Sequence, residues 1–258
     1  MFRWLSKLFK PKCPCDLSAK VWVEYRLEWL SEQFSESAFT GAPIILPTRE
    51  FFPDRYDGSE ESVRQLMARA CDYMDVNPRD LDLKIVDHGT RLHLVNESGL
   101  AIGGTAGSFQ QGSYRHKITL DREQLKDKFD LIGTMAHELA HVRLLGEHRL
   151  EGTEFDNELV TDLTTIHLGL GIFLANSPRD WMSGYTQWPG SHLRKPEYMN
   201  RPMYGWALAL LAHFRNETKP SWLEHLSKHA RAEVERGMRY LEETRDSSYL
   251  PRRGELLN

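Results

Sequence analysis

Hydrophobic residues follow two periods along this chain. Val23, Leu27, Leu30 and Phe34 recur at three and four, which predicts a helix over residues 18–34 capped by Ser18. Val63, Leu66, Met67, Ala70, Cys71 and Met74 predict a second helix, with Cys71 a small core residue and not a nucleophile. Between these two, residues 41–58 are rich in Pro, Gly and Asp and predict a long ordered loop anchored by Phe51 and Phe52. The period then shortens to two: Leu81, Leu83 and Ile85 alternate with polar partners, as do Leu92 and Leu94, then Tyr114, His116, Ile118 and Leu120. Gly103, Gly104 and Gly107 mark a flexible or closely approached backbone, without the lysine and following helix of a phosphate loop.

Helical spacing returns at Leu131, Ile132, Met135, Ala136, Leu139 and Ala140, apolar enough for a core helix, with a start at Asp130 and a stop at Gly146. A charged connection leads to a further helix running through Leu163, Ile166, Leu168 and Ile172 to Asn176, on which His167 reads as a packing histidine. Residues 177–201 scatter Trp181, Tyr185, Trp188 and Tyr198 among Gly184, Pro189, Gly190 and Pro196, which predicts an irregular loop, a lid or binding element. Pro202 opens a helix that is apolar nearly all round through Tyr204, Trp206, Ala207, Leu208, Leu210 and Leu211. Ser221 to Glu224 reads as a capping box for an amphipathic helix through Leu226, Ala230, Val234, Met238 and Leu241, and the tail from Arg245 reads as polar and loose. The fold class is α+β: a small mixed sheet, one central helix, then a mainly helical C-terminal part. Residues 1–16 form a basic amphipathic tail and linker, 17–150 an N-terminal α+β subdomain and 151–258 a helical subdomain, the last two making one catalytic unit.

Composition narrows the partners. A net charge of −4 over 258 residues argues against a nucleic-acid footprint. Three cysteines, Cys13, Cys15 and Cys71, cannot build a disulfide framework, so a reducing, cytoplasmic setting is expected. No apolar run approaches the length of a membrane span, and residues 1–12 lack the continuous apolar middle of a secretory signal. Those residues place Phe2, Leu5, Leu8 and Phe9 on one face and add Arg3, Lys7, Lys10 and Lys12. Such a segment can touch an anionic membrane or a partner, but a short helix on the protein's own surface or a frayed end is favoured. Cys13-Pro14-Cys15 lacks the other half of a zinc site and is read as a linker.

The chemistry concentrates in His137-Glu138-Leu139-Ala140-His141 and Asn157-Glu158-Leu159-Val160-Thr161-Asp162. Residues four apart share a helix face, so His137 and His141 can hold one cation between them. Glu138 lies about 100° round the helix, where its carboxylate reaches a neighbouring water without ligating the metal. Two imidazoles and one carboxylate leave a fourth position open, which is a catalytic zinc arrangement, not a structural one. Glu151, Glu154 and Asp156 compete with Glu158 for the third place; Glu158 is preferred for its neighbours Asn157 and Asp162.

These two motifs resemble those of the gluzincins, the zinc peptidases of thermolysin type, over residues 134–162. The resemblance implies Zn2+ on His137, His141 and Glu158, Glu138 as general base, and Asp162 hydrogen-bonded to a ligand histidine. It implies a zincin-like fold in which an edge strand, here within residues 101–120, pairs with an extended peptide or protein substrate. The gap between the motifs is slightly shorter than in thermolysin-type enzymes, and no later segment matches their transition-state histidine. Tyr185, His192, Tyr198 and Tyr204 are candidates for that role, with Tyr198 and Tyr204 preferred because they flank the start of a helix. The competing readings are a zincin-like binding or regulatory protein, docked on a membrane or partner through residues 1–12, and a structural zinc site. An intact Glu138 weighs against the first, because a protein that only binds has no use for the base.

Overall fold

The computed structural model describes residues 11–87, 94–95, 101–102, 107–112, 114–178 and 185–249. The basic amphipathic segment falls almost entirely outside the described residues, as do Leu92, Gly103, Gly104 and Trp181. The chain begins with α1 (Leu17–Phe34), α2 (Glu36–Thr40) and α3 (Glu60–Met74), followed by strand β1 (Leu81–Val86). Two short strands, β2 (Leu94–Val95) and β3 (Ala101–Ile102), pair with each other; then come β4 (Gly107–Gln110) and β5 (His116–Asp121). The remainder is α4 (Lys128–His141), α5 (Asn157–His167), α6 (Gly171–Asn176), the strands β6 (Tyr185–Gln187) and β7 (Arg194–Pro196), α7 (Arg201–Phe214) and α8 (Lys228–Thr244). This is a mixed helix and sheet architecture, as the change of period predicts.

The main sheet has the order β1-β5-β4, parallel between β1 and β5 and antiparallel between β4 and β5. Its middle strand β5 buries Ile118, Thr119 and Leu120 consecutively, because a central strand is covered on both faces and its alternation is lost. Tyr114 is not part of it and stands 95 % exposed. No helix of the described residues is long and apolar enough to cross a membrane.

Two apolar clusters organise the packing. One joins the sheet with α3 and α4 through Ile118, Leu120, Met67, Cys71, Leu131 and Met135. Phe52 belongs to it, edge-on to Tyr73 and Phe173 at 5.7 Å each, so the predicted aromatic anchor holds. Burial pushes the Cys71 thiol up to about 12, as fits an inert core residue. The other cluster is helical and joins α1, α5, α7 and α8 through Leu27, Leu163, Trp206 and Leu241. Helix α1 therefore packs with the C-terminal helices, and a boundary at residue 150 does not follow the packing.

Several boundaries differ from the expected ones for local reasons. Asp16, not Ser18, caps α1 by accepting from the Ala19 N–H at 3.0 Å. Asp127 caps α4 by accepting from the N–H groups of Phe129 and Asp130. The helix expected to reach Asn176 breaks between α5 and α6, where Gly169 adopts φ +90° and a Cβ would lie 2.5 Å from the Pro43 carbonyl oxygen. Residues 221–225 form a 3₁₀ turn and Ser227 caps α8, so the capping box at Ser221 is not used. Residues 185–196 carry a β-hairpin in place of an irregular loop, its Trp188 packed on Trp22 with ring centroids 6.0 Å apart. Nor is the tail loose throughout: Tyr249 is 2 % exposed within the helical cluster.

Candidate metal centre

Helix α4 is buried from Leu131 to His141, so both histidines of its last turn point into protein, not solvent. Its end is secured by a π turn over Val142–Gly146, a geometry that often accompanies functional sites. Arg143 in that turn donates to the carbonyl oxygens of Met74 and Asp75, tying the turn to the end of α3. Helix α5 approaches from the other cluster. Asp156, just before its first turn, accepts from Trp22 Nε1 at 2.6 Å and from Arg26 Nε and Nη2 at 2.8 and 2.7 Å. That buried pair anchors the start of α5 on α1 and leaves Asp156 engaged elsewhere. Glu151 and Glu154 are exposed, so of the four acids only Glu158 turns toward the imidazoles.

The resulting group sits on the seam between the two apolar clusters. One donor atom each from His137, His141 and Glu158 lies within 4.8 Å of the others. Glu158 Oε2 is 3.1 Å from His137 Nε2 and 3.5 Å from His141 Nε2, with the two rings nearly perpendicular at 87°. Donors about 2.0–2.1 Å from a tetrahedral zinc stand roughly 3.3 Å apart, and the Glu158 oxygen meets both imidazoles at close to that spacing. Both Nδ1 atoms face away from the cluster and have partners: Asp162 Oδ1 at 2.8 Å from His137, and Thr161 Oγ1 at 3.2 Å from His141. Those contacts orient the rings so that Nε2 points to the shared centre. Asp162 is held in turn by the Met199 N–H, which donates to its Oδ2 at 2.9 Å.

Burial raises the proton affinity of Glu158, but positive charge on His141 and hydrogen bonds from both histidines outweigh it and hold the carboxyl well below its usual range. The side chain keeps 27 % of its surface exposed, against 2 % for His137, so the group opens to solvent on the Glu158 side. Glu138 is 2 % exposed and faces strand β4, where a Cβ on Gly107 would lie 2.9 Å from its Oε1. Gly107 therefore lets the backbone of β4 pass directly against the carboxylate. Further along β4, Phe109 stacks on His141 at 5.7 Å and 17° and also contacts the His116 ring at 5.5 Å. A hollow of about 510 Å³ opens there, lined by Asp80, Gln111, Tyr114, His116, Gly146 and His148 among others.

The two tyrosines part company. Tyr198 is 5 % exposed and its ring centroid lies 5.8 Å from that of His137. Tyr204, 1 % exposed on α7, belongs to the helical core. His192 is exposed. Sequence reasoning assigned no role to Thr161, Phe109, the Met199 amide or Lys195, each a contributor to these surroundings. Thr161 was within reach of inspection, since it fills the hydroxyl position of the second motif. The others come from segments that approach only in the folded chain. Lys195 is 6 % exposed, and burial lowers its pKa against the opposing charges of Asp156, Glu197 and Glu158. Compared with protein-family models, curated proteins and solved structures, the chain matches none.

Proposed function

We propose that this chain is a zinc-dependent peptidase of gluzincin type, hydrolysing peptide bonds of a peptide or protein substrate. The observation that carries the reading is the convergence of His137, His141 and Glu158 from two helices of different cores, with both imidazoles oriented from behind. In this reading those three residues hold Zn2+, which supplies Lewis acidity that polarises a carbonyl and makes water nucleophilic near neutral pH. Glu138 takes the proton of the attacking water and delivers it to the leaving amine. Asp162 and Thr161 hold the two imidazoles by their outer nitrogens and aim Nε2 at the ion. Of the two tyrosines, Tyr198 is the better placed to donate to the developing oxyanion, and Tyr204 serves packing.

Strand β4 suits the role of substrate-binding edge in a zincin-like fold. Among the described residues it pairs with β5 on one side only, and Gly107 brings it against Glu138. A peptide added along it would run past Phe109 toward the hollow at His116 and His148. The three free thiols fit a cytoplasmic enzyme.

The test pairs wild type with Glu138→Gln, measuring zinc content and hydrolysis of a peptide library. Glu138→Gln should bind zinc as wild type does and lose about 10²–10⁴ of the rate, the usual contribution of a positioned general base. Equal rates in the two proteins would end the peptidase reading.

A further inference from the structure

Away from the histidine cluster, two nucleophilic side chains meet at the entry to α1. Cys13 and Cys15 turn toward each other and share a hydrogen bond with their sulfurs 3.8 Å apart. Both are partly exposed, whereas Cys71 is buried. Residues two apart span at most about 7 Å, and the chain bends at Pro14 and Cys15, so the pair falls within reach of a disulfide. Closing 3.8 Å to an S–S bond of about 2.05 Å asks the two sulfurs to approach by under about 2 Å.

The segment is held in place by folded structure. Pro14 is buried, and its carbonyl oxygen accepts from Arg236 Nη2 at 2.6 Å. Gly237 on α8 leaves room for it, since a Cβ there would lie 3.2 Å from Pro14 Cγ. Asp16 on the other side caps α1. The two sulfurs are also unequal. The hydrogen bond from Cys15, with help from Lys20, draws the Cys13 thiol below its usual range against the effect of burial. The same bond and burial push Cys15 up. Cys13 is therefore the sulfur that ionises first and Cys15 the one that keeps its proton. A metal site is the weaker reading, because among the described residues only His137, His141 and Glu158 bring three such donors together.

We propose that Cys13 and Cys15 form a thiol–disulfide exchange site for small disulfides, with Cys13 attacking and Cys15 resolving. The Cys13 thiolate attacks one sulfur of R–S–S–R, forming Cys13–S–S–R and releasing RS⁻. Cys15 loses its proton to solvent and attacks the Cys13 sulfur, forming the Cys13–Cys15 bond and releasing the second RS⁻. Two protein thiols are oxidised, one small disulfide is reduced to two thiols, and the two protons lost by the protein are gained by the two leaving thiolates. The site does not depend on the peptidase reading, since neither cysteine belongs to the histidine cluster.

The test incubates the reduced full chain with oxidised glutathione at neutral pH, quenches by alkylation and maps the thiols by mass spectrometry. Wild type and Cys71→Ser should both form the Cys13–Cys15 bond and lose two alkylatable thiols. Cys15→Ser should stop at one glutathione on Cys13, and Cys13→Ser should react more slowly, because its remaining thiol is the more buried and lies beside Asp16, whereas Cys13 faces Lys20. Retention of all three free thiols in wild type would overturn the proposal. So would glutathione addition at equal rates in Cys13→Ser and Cys15→Ser.

Discussion

Two positions on α5 are similar by burial and opposite by chemistry. At its middle Asp162 is 1 % exposed and shares charge-bearing contacts with His137; at its end His167 is 0 % exposed and faces aromatic rings. His167 stacks on Phe39 at 5.6 Å and 11°, with Nε2 near the Ser35 carbonyl oxygen at 3.2 Å and Nδ1 buried without a partner. Burial drives its pKa down to about 4, so it stays neutral. The histidines of α4 instead have their outer nitrogens fixed by Asp162 and Thr161, leaving the inner ones to converge on Glu158. Depth alone therefore does not separate a packing histidine from a candidate ligand; the two differ in what each nitrogen meets.

The largest expected effect bears on what holds the start of α5 in place. Asp156→Ala would leave the buried Arg26 guanidinium with only the exposed Glu154 carboxylate, 3.6 Å away, and should destabilise the fold by about 3 kcal/mol in denaturant unfolding. A loss under about 1 kcal/mol would mean that α5 is positioned by apolar packing alone.

The next prediction concerns the other end. His167 has a depressed folded pKa of about 4 against an ordinary value of 6.5, so protonation favours the unfolded chain. Its neutral form is fully compatible with folding above pH 6.5, and stability is lost as pH falls from 6.5 toward about 4. Two and a half pKa units correspond to about 3 kcal/mol at most, and to about 2 kcal/mol between roughly pH 7.5 and pH 5. His167→Phe should remove that part of the pH slope in matched unfolding curves; an unchanged slope would place the responsible group elsewhere.

Smaller effects sharpen the metal end. Asp162→Ala should weaken zinc binding about 10–100-fold in a chelator competition, because His137 loses its orienting partner and Met199 its acceptor. Thr161→Val removes the longer contact at 3.2 Å and should weaken it less, nearer the lower bound of about tenfold. The reverse order would mean that His141, not His137, is the more constrained ligand.

Much of this centre was legible from spacing. The four-residue interval between His137 and His141, the apolar surroundings of their helix and the pairing of Glu158 with Asp162 express local helix geometry, which a linear pattern records faithfully. So did the packing roles of His167 and Cys71. Less legible were the terminators: the break at Gly169 is imposed by the Pro43 carbonyl far away in the chain, and the caps at Asp16, Asp127 and Ser227 each lie a short step from the residue that pattern alone favoured. The hairpin at residues 185–196 escaped notice because its two three-residue strands are too short to show alternation.

The sequence by itself determined the two periods, hence the helices and strands, and the identity of the side chains able to bind a cation. Tertiary structure decided which acid completes the trio, because Asp156 is claimed by Trp22 and Arg26 while Glu158 faces the seam. It also decided that Gly107 lies against Glu138 and that Pro14, between Cys13 and Cys15, is held by α8. Those are meetings between segments remote in the chain, and their geometry follows from packing two cores together, which no local pattern encodes.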